Sequence, residues 1–122
     1  MKLKGTAVLR ITRGWVVAEV PESLADYYRK LLPKTLRYNL PRHTPHVTVI
    51  RDYPDTLPTF VPREISFEYS PCTVIGREYI WLDVWCPELE QFRESLGYEP
   101  VEWYTRPPEG DVPFHITIGN FK

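Results

Sequence analysis

Two four-residue runs carry the side chains best suited to chemistry. They are His46-Val47-Thr48-Val49 near the middle of the chain and His115-Ile116-Thr117-Ile118 close to its end. Each reads histidine, apolar, threonine, apolar. On a β-strand successive side chains point to opposite faces, so His46 shares a face with Thr48 and His115 shares one with Thr117. The β-branched residues between them face the other way, into a core. The chain holds three histidines, and two of them open this pattern. Average residue usage puts such a coincidence at roughly one in a thousand.

Histidine titrates near neutrality, so of two imidazoles one can be neutral while the other is protonated. That is the requirement for a paired general base and general acid. One ring takes a proton from an attacking hydroxyl and the other gives one to the leaving oxygen. Threonine hydroxyls beside them can donate to the non-bridging oxygens of a phosphate, where charge must be held in the transition state. Phosphodiester cleavage then needs neither a metal nor a covalent intermediate.

Aromatic residues and one arginine supply candidate substrate contacts. Trp15 and Trp81 lie on strands, and Trp103-Tyr104 sits in a proline-rich loop where a nucleobase could stack on them. Core packing is the simpler account for Trp15, Trp81 and Trp85. Arg51, directly after the first motif, is a candidate partner for phosphate. Glu19 and Asp83 are candidates to orient a histidine. A rival reading gathers His43, His46 and His115 around a zinc ion, but it leaves the threonines unexplained. A non-catalytic nucleotide-binding module is a second rival. A synthetic role has no phosphate-binding glycine loop behind it.

At 122 residues the chain is one domain, with 43% hydrophobic and 14% aromatic residues. A net charge of −1 gives no broad basic field, which argues against binding long nucleic acid. A small nucleotide in a local pocket remains compatible. Cys72 and Cys86 form no disulfide framework and read as two buried thiols. Arg10 and Arg13 interrupt any signal-peptide core and no stretch reaches membrane-spanning length, so the expected location is the cytoplasm.

Alternation predicts strands over 3–11, with Leu3, Ala7, Leu9 and Ile11 on one face, and over 15–20, joined by a turn at Arg13-Gly14. Pro21-Glu22 opens a helix with a stripe of Leu24, Tyr27, Tyr28, Leu31 and Leu32. The first motif strand spans 46–50, and prolines punctuate a linker from about 51 to 63. Strands follow over 65–75 and 79–86. Pro87-Glu88 then opens a second helix with Leu89, Phe92 and Leu96 on its stripe and Gly97 beyond its end. The order therefore repeats in two halves, approximately 1–50 and 64–122. Superposing Pro21 on Pro87 pairs Trp15 with Trp81. Trp15, Val17, Glu19, Trp81, Asp83 and Trp85 fall on the histidine side, and Val16, Ala18, Val20, Leu82, Val84 and Cys86 on the helix side.

Two such motifs in two similar halves resemble the 2H phosphoesterase superfamily. The resemblance spans about Leu3 to Ile118. It implies an α+β fold of two pseudo-symmetric lobes of antiparallel sheet, with helices outside and a central cleft. It also implies metal-independent, cofactor-free chemistry by His46, Thr48, His115 and Thr117. The run from Thr44 to Arg51 is similar to the phage anti-CBASS phosphodiesterases, which degrade cyclic oligonucleotide signals in the host cytoplasm. Cleavage of a 3′-5′ linkage in a small cyclic oligonucleotide is thus the expected activity. A 2′,3′-cyclic nucleotide or RNA-end phosphodiesterase is the alternative.

Overall fold

The computed structural model describes residues 1–12, 14–51 and 59–122. Most of the expected linker at 51–63, and Arg13 of the expected turn, lie outside the described residues. The elements run β1 (Leu3–Thr12), β2 (Trp15–Glu19), α1 (Glu22–Lys30), β3 (His46–Arg51), β4 (Arg63–Tyr69), β5 (Val74–Ile75), β6 (Tyr79–Trp85), α2 (Pro87–Ser95) and β7 (Phe114–Asn120). Strand order is β4-β1-β2-β3-β7-β6, and pairing of β4 with β6 closes this antiparallel ring of six. The short β5 sits beside β6. Closure leaves few open edges for another chain to pair with.

The expected strand over 65–75 is two strands. Pro71 supplies no amide hydrogen to a ladder, and the Cys72 amide turns back to the Ser70 hydroxyl at 3.1 Å. Cys72 is exposed and Cys86 buried, both as free thiols, so only one of the two expected buried thiols is buried.

One apolar core joins the helices to the sheet. It collects Ala7 and Leu9 of β1, Val16 and Ala18 of β2, Val47 and Val49 of β3, Leu82 and Val84 of β6, and Ile116 and Ile118 of β7. Ala25, Tyr28, Leu32 and Leu89 add the helix contributions. Both helix stripes are rotated from expectation. Tyr27 and Leu31 are 59% and 62% exposed, while Ala25 and Tyr28 face inward. On α2, Leu89 and Arg93 are the buried pair. Gly97, at φ 88°, ends α2 as expected: its amide reaches the Glu94 carbonyl and the Tyr98 amide reaches that of Arg93. Among the described residues no helix is long and apolar enough to cross a membrane.

The halves share a register. In one, Glu19 pairs with His46 and Val17 with Thr48; in the other, Asp83 pairs with His115 and Trp81 with Thr117. Trp81 therefore corresponds to Val17, and Tyr79 to Trp15. The proline superposition was out of register by two residues, a slip that leaves every side chain on its expected face. At the seam, β3 meets β7 antiparallel through Val47 and Ile116.

Candidate active site

Each motif strand carries a β-bulge one residue past its threonine. Val16 pairs with Ile50 and Val17 with Thr48, leaving Val49 over. Likewise Ile80 pairs with Gly119 and Trp81 with Thr117, leaving Ile118 over. An extra residue reverses the alternation beyond it. By strict alternation Arg51 would share the core face with Val47 and Val49. With the bulge it pairs with Trp15 on the histidine face. The matching position in β7 is Asn120, paired with Tyr79. Gly119 is needed at the second bulge, where a Cβ would come within 2.7 Å of the Tyr38 ring.

Residues paired across a sheet share a face, so His46, Thr48 and Arg51 stand together with Trp15, Val17 and Glu19. His115 and Thr117 stand with Trp81 and Asp83. The single seam between β3 and β7 makes these one surface, with the motifs running past each other in opposite directions. Thr48 is buried, and Thr117 and both imidazoles are half-buried.

Both imidazoles are fixed in the same way. His46 Nδ1 lies 2.8 Å from the Thr44 carbonyl, and His115 Nδ1 lies 3.0 Å from the Thr105 carbonyl. A carbonyl only accepts, so each Nδ1 carries a hydrogen and donates it. The second nitrogen, Nε2, is thereby left as the reactive position of each neutral ring. Glu19 and Asp83 do not perform this orienting role. Glu19 lies 2.8 Å from Arg10, and Asp83 accepts a 2.9 Å bond from the Trp81 indole.

Burial is the main influence on both rings and pushes each imidazole pKa below its ordinary value. For His46 the opposing carbonyl of Thr44 comes next, and the charges of His43 and Arg51 lower it further. For His115 the Thr105 carbonyl opposes, while the charges of His46 and Arg51 lower it. The two imidazoles and Arg51 therefore act within one electrostatic neighbourhood.

Arg51 stands over an aromatic wall. Its guanidinium carbon is 4.3 Å from the Trp15 ring centre and 5.7 Å from those of Trp103 and Tyr104. Contact with ring faces does not consume the guanidinium's N–H donors, which among the described residues have no hydrogen-bond partner and can meet an anion. Trp103 is 76% exposed and can meet a base. Tyr104 and Trp81, also expected to stack, cannot: at 9% and 2% exposure they are buried, the Tyr104 hydroxyl accepting from Arg93 and the Trp81 indole N–H serving Asp83. Trp85 is covered by Lys2, whose ammonium lies 4.0 Å from its ring centre.

One cavity borders the first motif, and a smaller one is lined by Tyr79 and Trp81, the register counterparts of Trp15 and Val17. One, of about 360 Å³, is lined by Trp15, Val17, Glu19, Arg42, His43 and His46, among others. The other, of about 220 Å³, is lined by Arg77, Glu78, Tyr79, Trp81, Pro108 and Glu109. His43 thus lies beside His46 at a cavity wall. Among the described residues no group of three or more His, Cys, Asp or Glu side chains is placed to hold a metal ion.

Comparison with known protein families, curated proteins and solved structures finds no match to this chain.

Proposed function

We propose that this chain is a phosphodiesterase of the 2H type, cleaving a 3′-5′ linkage in a small cyclic oligonucleotide by paired histidine acid-base catalysis. The observation that carries the reading is the matched pair of imidazoles. Each has Nδ1 committed to a backbone carbonyl and Nε2 left reactive beside a threonine, on one surface that also holds Arg51. The repeated register of β2-β3 and β6-β7 supports two related halves, although β4 and β6 close them into one ring rather than two open lobes.

A ribose 2′-hydroxyl next to the scissile phosphorus serves as nucleophile. One neutral Nε2 takes its proton as the new O2′–P bond forms. The other imidazole, protonated, gives its proton to O5′ as the P–O5′ bond breaks. The products of this step are a 2′,3′-cyclic phosphate and a free 5′-hydroxyl. The rings finish with exchanged protonation, which suits them to the reverse roles when water opens the cyclic phosphate. The Thr48 and Thr117 hydroxyls and the Arg51 guanidinium donate to the phosphoryl oxygens as negative charge grows on them.

The cavity beside His46 has room for one nucleoside of such a diester, next to the Trp15 ring. At about 360 Å³ it falls within the size range of small-molecule sites. Degradation of a cyclic oligonucleotide immune signal, as in the phage enzymes, is the biological role that fits such a substrate. The partner is then a small nucleotide rather than long nucleic acid or membrane.

The test is a substrate panel of cyclic dinucleotides, cyclic trinucleotides and 2′,3′-cyclic mononucleotides, run in excess chelator with products separated by chromatography. Linearisation of the cyclic oligonucleotides is expected. Turnover of the mononucleotides alone would move the role to RNA-end processing. Silence in chelator with activity restored by zinc would overturn the histidine mechanism.

A further inference from the structure

Buried deep beneath the histidine face is a charged residue that the proposed chemistry does not use. Arg93 of α2 is 0% exposed. Its Nη1 donates to the Val49 carbonyl at 2.5 Å and to the Tyr104 hydroxyl at 2.8 Å. Its Nε donates to the Glu99 carbonyl at 2.8 Å, and its Nη2 lies 3.3 Å from the Glu102 carboxylate. The rings of Tyr98 and Tyr104 stand 5.3 and 5.4 Å from the guanidinium carbon.

These partners have a common destination. Val49 is the bulged residue whose presence aims Arg51 at the histidine face. Glu102 and Tyr104 belong to the turn that ends at Thr105, where the Thr105 amide and hydroxyl both donate to the Glu102 carbonyl, at 3.1 and 2.9 Å. The Thr105 carbonyl in turn fixes the His115 ring. Tyr104 is also one of the rings beside Arg51. One guanidinium therefore grips the backbone behind the anion-binding arm and the loop behind one imidazole.

The other half has a counterpart. Arg29 of α1 donates from Nε to the carbonyl of Ile118, the second bulged residue, at 2.7 Å. Each helix thus sends an arginine to the bulge carbonyl of the opposite half's motif strand. A bulge removes its extra residue from the ladder, and a buried carbonyl without a partner is costly. Five fixed donors on a planar group suit an arginine to satisfying several such acceptors at once, and a lysine ammonium cannot reproduce that fork.

We propose that Arg93 is a positioning residue for the phosphodiesterase centre, holding Arg51 and His115 in register with each other through the Val49 bulge and the Glu99–Thr105 loop. This rests on the function proposed above, but the geometric part can be read without any substrate. Arg93→Lys keeps the charge and loses the fork. Tyr104→Phe keeps the packing, removes one of the fork's acceptors, and serves where Arg93→Lys fails to fold.

The first readout is the imidazole tautomer by long-range proton-nitrogen NMR at a pH where both rings are neutral. In the wild type both rings carry the proton on Nδ1. In Arg93→Lys, and more weakly in Tyr104→Phe, His115 is expected to become a mixture of tautomers while His46, held by Thr44, is unchanged. Equal change at both rings would indicate general loosening and overturn the assignment, as would no change at either. The second readout is kcat/KM on a cyclic dinucleotide, expected to fall by between about tenfold and 10²-fold in Arg93→Lys. In combination with Arg51→Lys the losses should be strongly non-additive, because both act through one arm; simple additivity would contradict the proposal. A wild type that cleaves nothing would refute the proposed function, and the tautomer readout would still decide the positioning role.

Discussion

Alanine at His46 or at His115 is expected to lower kcat by about 10²- to 10⁴-fold, the range for loss of one positioned proton-transfer group. The fold should survive each change. Val47 and Val49, and Ile116 and Ile118, anchor the two strands in the core from the opposite face. Each imidazole is half-buried, and among the described residues each makes one side-chain hydrogen bond, to a loop carbonyl. The urea midpoint should therefore move little beside the loss of rate. The double variant should lose little more than the worse single variant, since an acid without its base cannot complete the transfer and residues acting as a unit are not additive. Steady-state kinetics on a cyclic dinucleotide, with denaturant unfolding of the same samples, checks both statements. Near wild-type turnover in either single variant would end the two-histidine account.

Valine at Thr48 or Thr117 is expected to cost about 10²- to 10³-fold in kcat, the usual loss for one donor aimed at developing oxyanion charge. The substitution keeps the β-branch that suits a strand and removes only the hydroxyl's hydrogen bonding. Thr48 is 7% exposed, so Thr48→Val should be at least as stable as the wild type. Serine at either position should recover much of the lost rate. If instead KM rises with kcat unchanged, the hydroxyls contribute only uniform binding and not transition-state stabilisation.

Much of this arrangement was legible in the chain itself. Alternation about His46, Thr48, His115 and Thr117 was enough to place the strands and their faces, and Pro21, Pro87 and Gly97 marked the helix ends through their own backbone limits. The inward face of each helix differs from its apolar stripe for one reason. Arg29 and Arg93 look like solvent-facing charges in sequence, yet both end on buried carbonyls. A hint was present in the i, i+4 spacing of Leu89 with Arg93 and of Ala25 with Arg29, which puts each arginine on its helix's buried side. The bulges had no comparable signal. Whether one residue is extra depends on the partner strand, so Arg51 could be named from its chemistry but not aimed. An indole suits a base, but Trp81 is buried beneath the surface, paired with Thr117 and bonded to Asp83. The orienting carbonyls of Thr44 and Thr105 belong to loops whose path no periodicity describes.

The most direct measurement is the pH dependence of kcat/KM on a cyclic dinucleotide, for the wild type and each alanine variant. Burial lowers both imidazole pKa values from the ordinary 6.5, and charge from His46 and Arg51 lowers His115 further. A depressed base loses its proton earlier as pH rises, so the population of the singly protonated pair is shifted toward acid pH. The predicted profile is a bell displaced to the acid side of that of ordinary imidazoles, its limbs belonging to the pair rather than to either ring. On the alkaline limb activity should fall about tenfold per pH unit, and each alanine variant should lose one limb of the bell. A flat profile, or a bell that persists unchanged without one of the histidines, would contradict the paired acid-base mechanism.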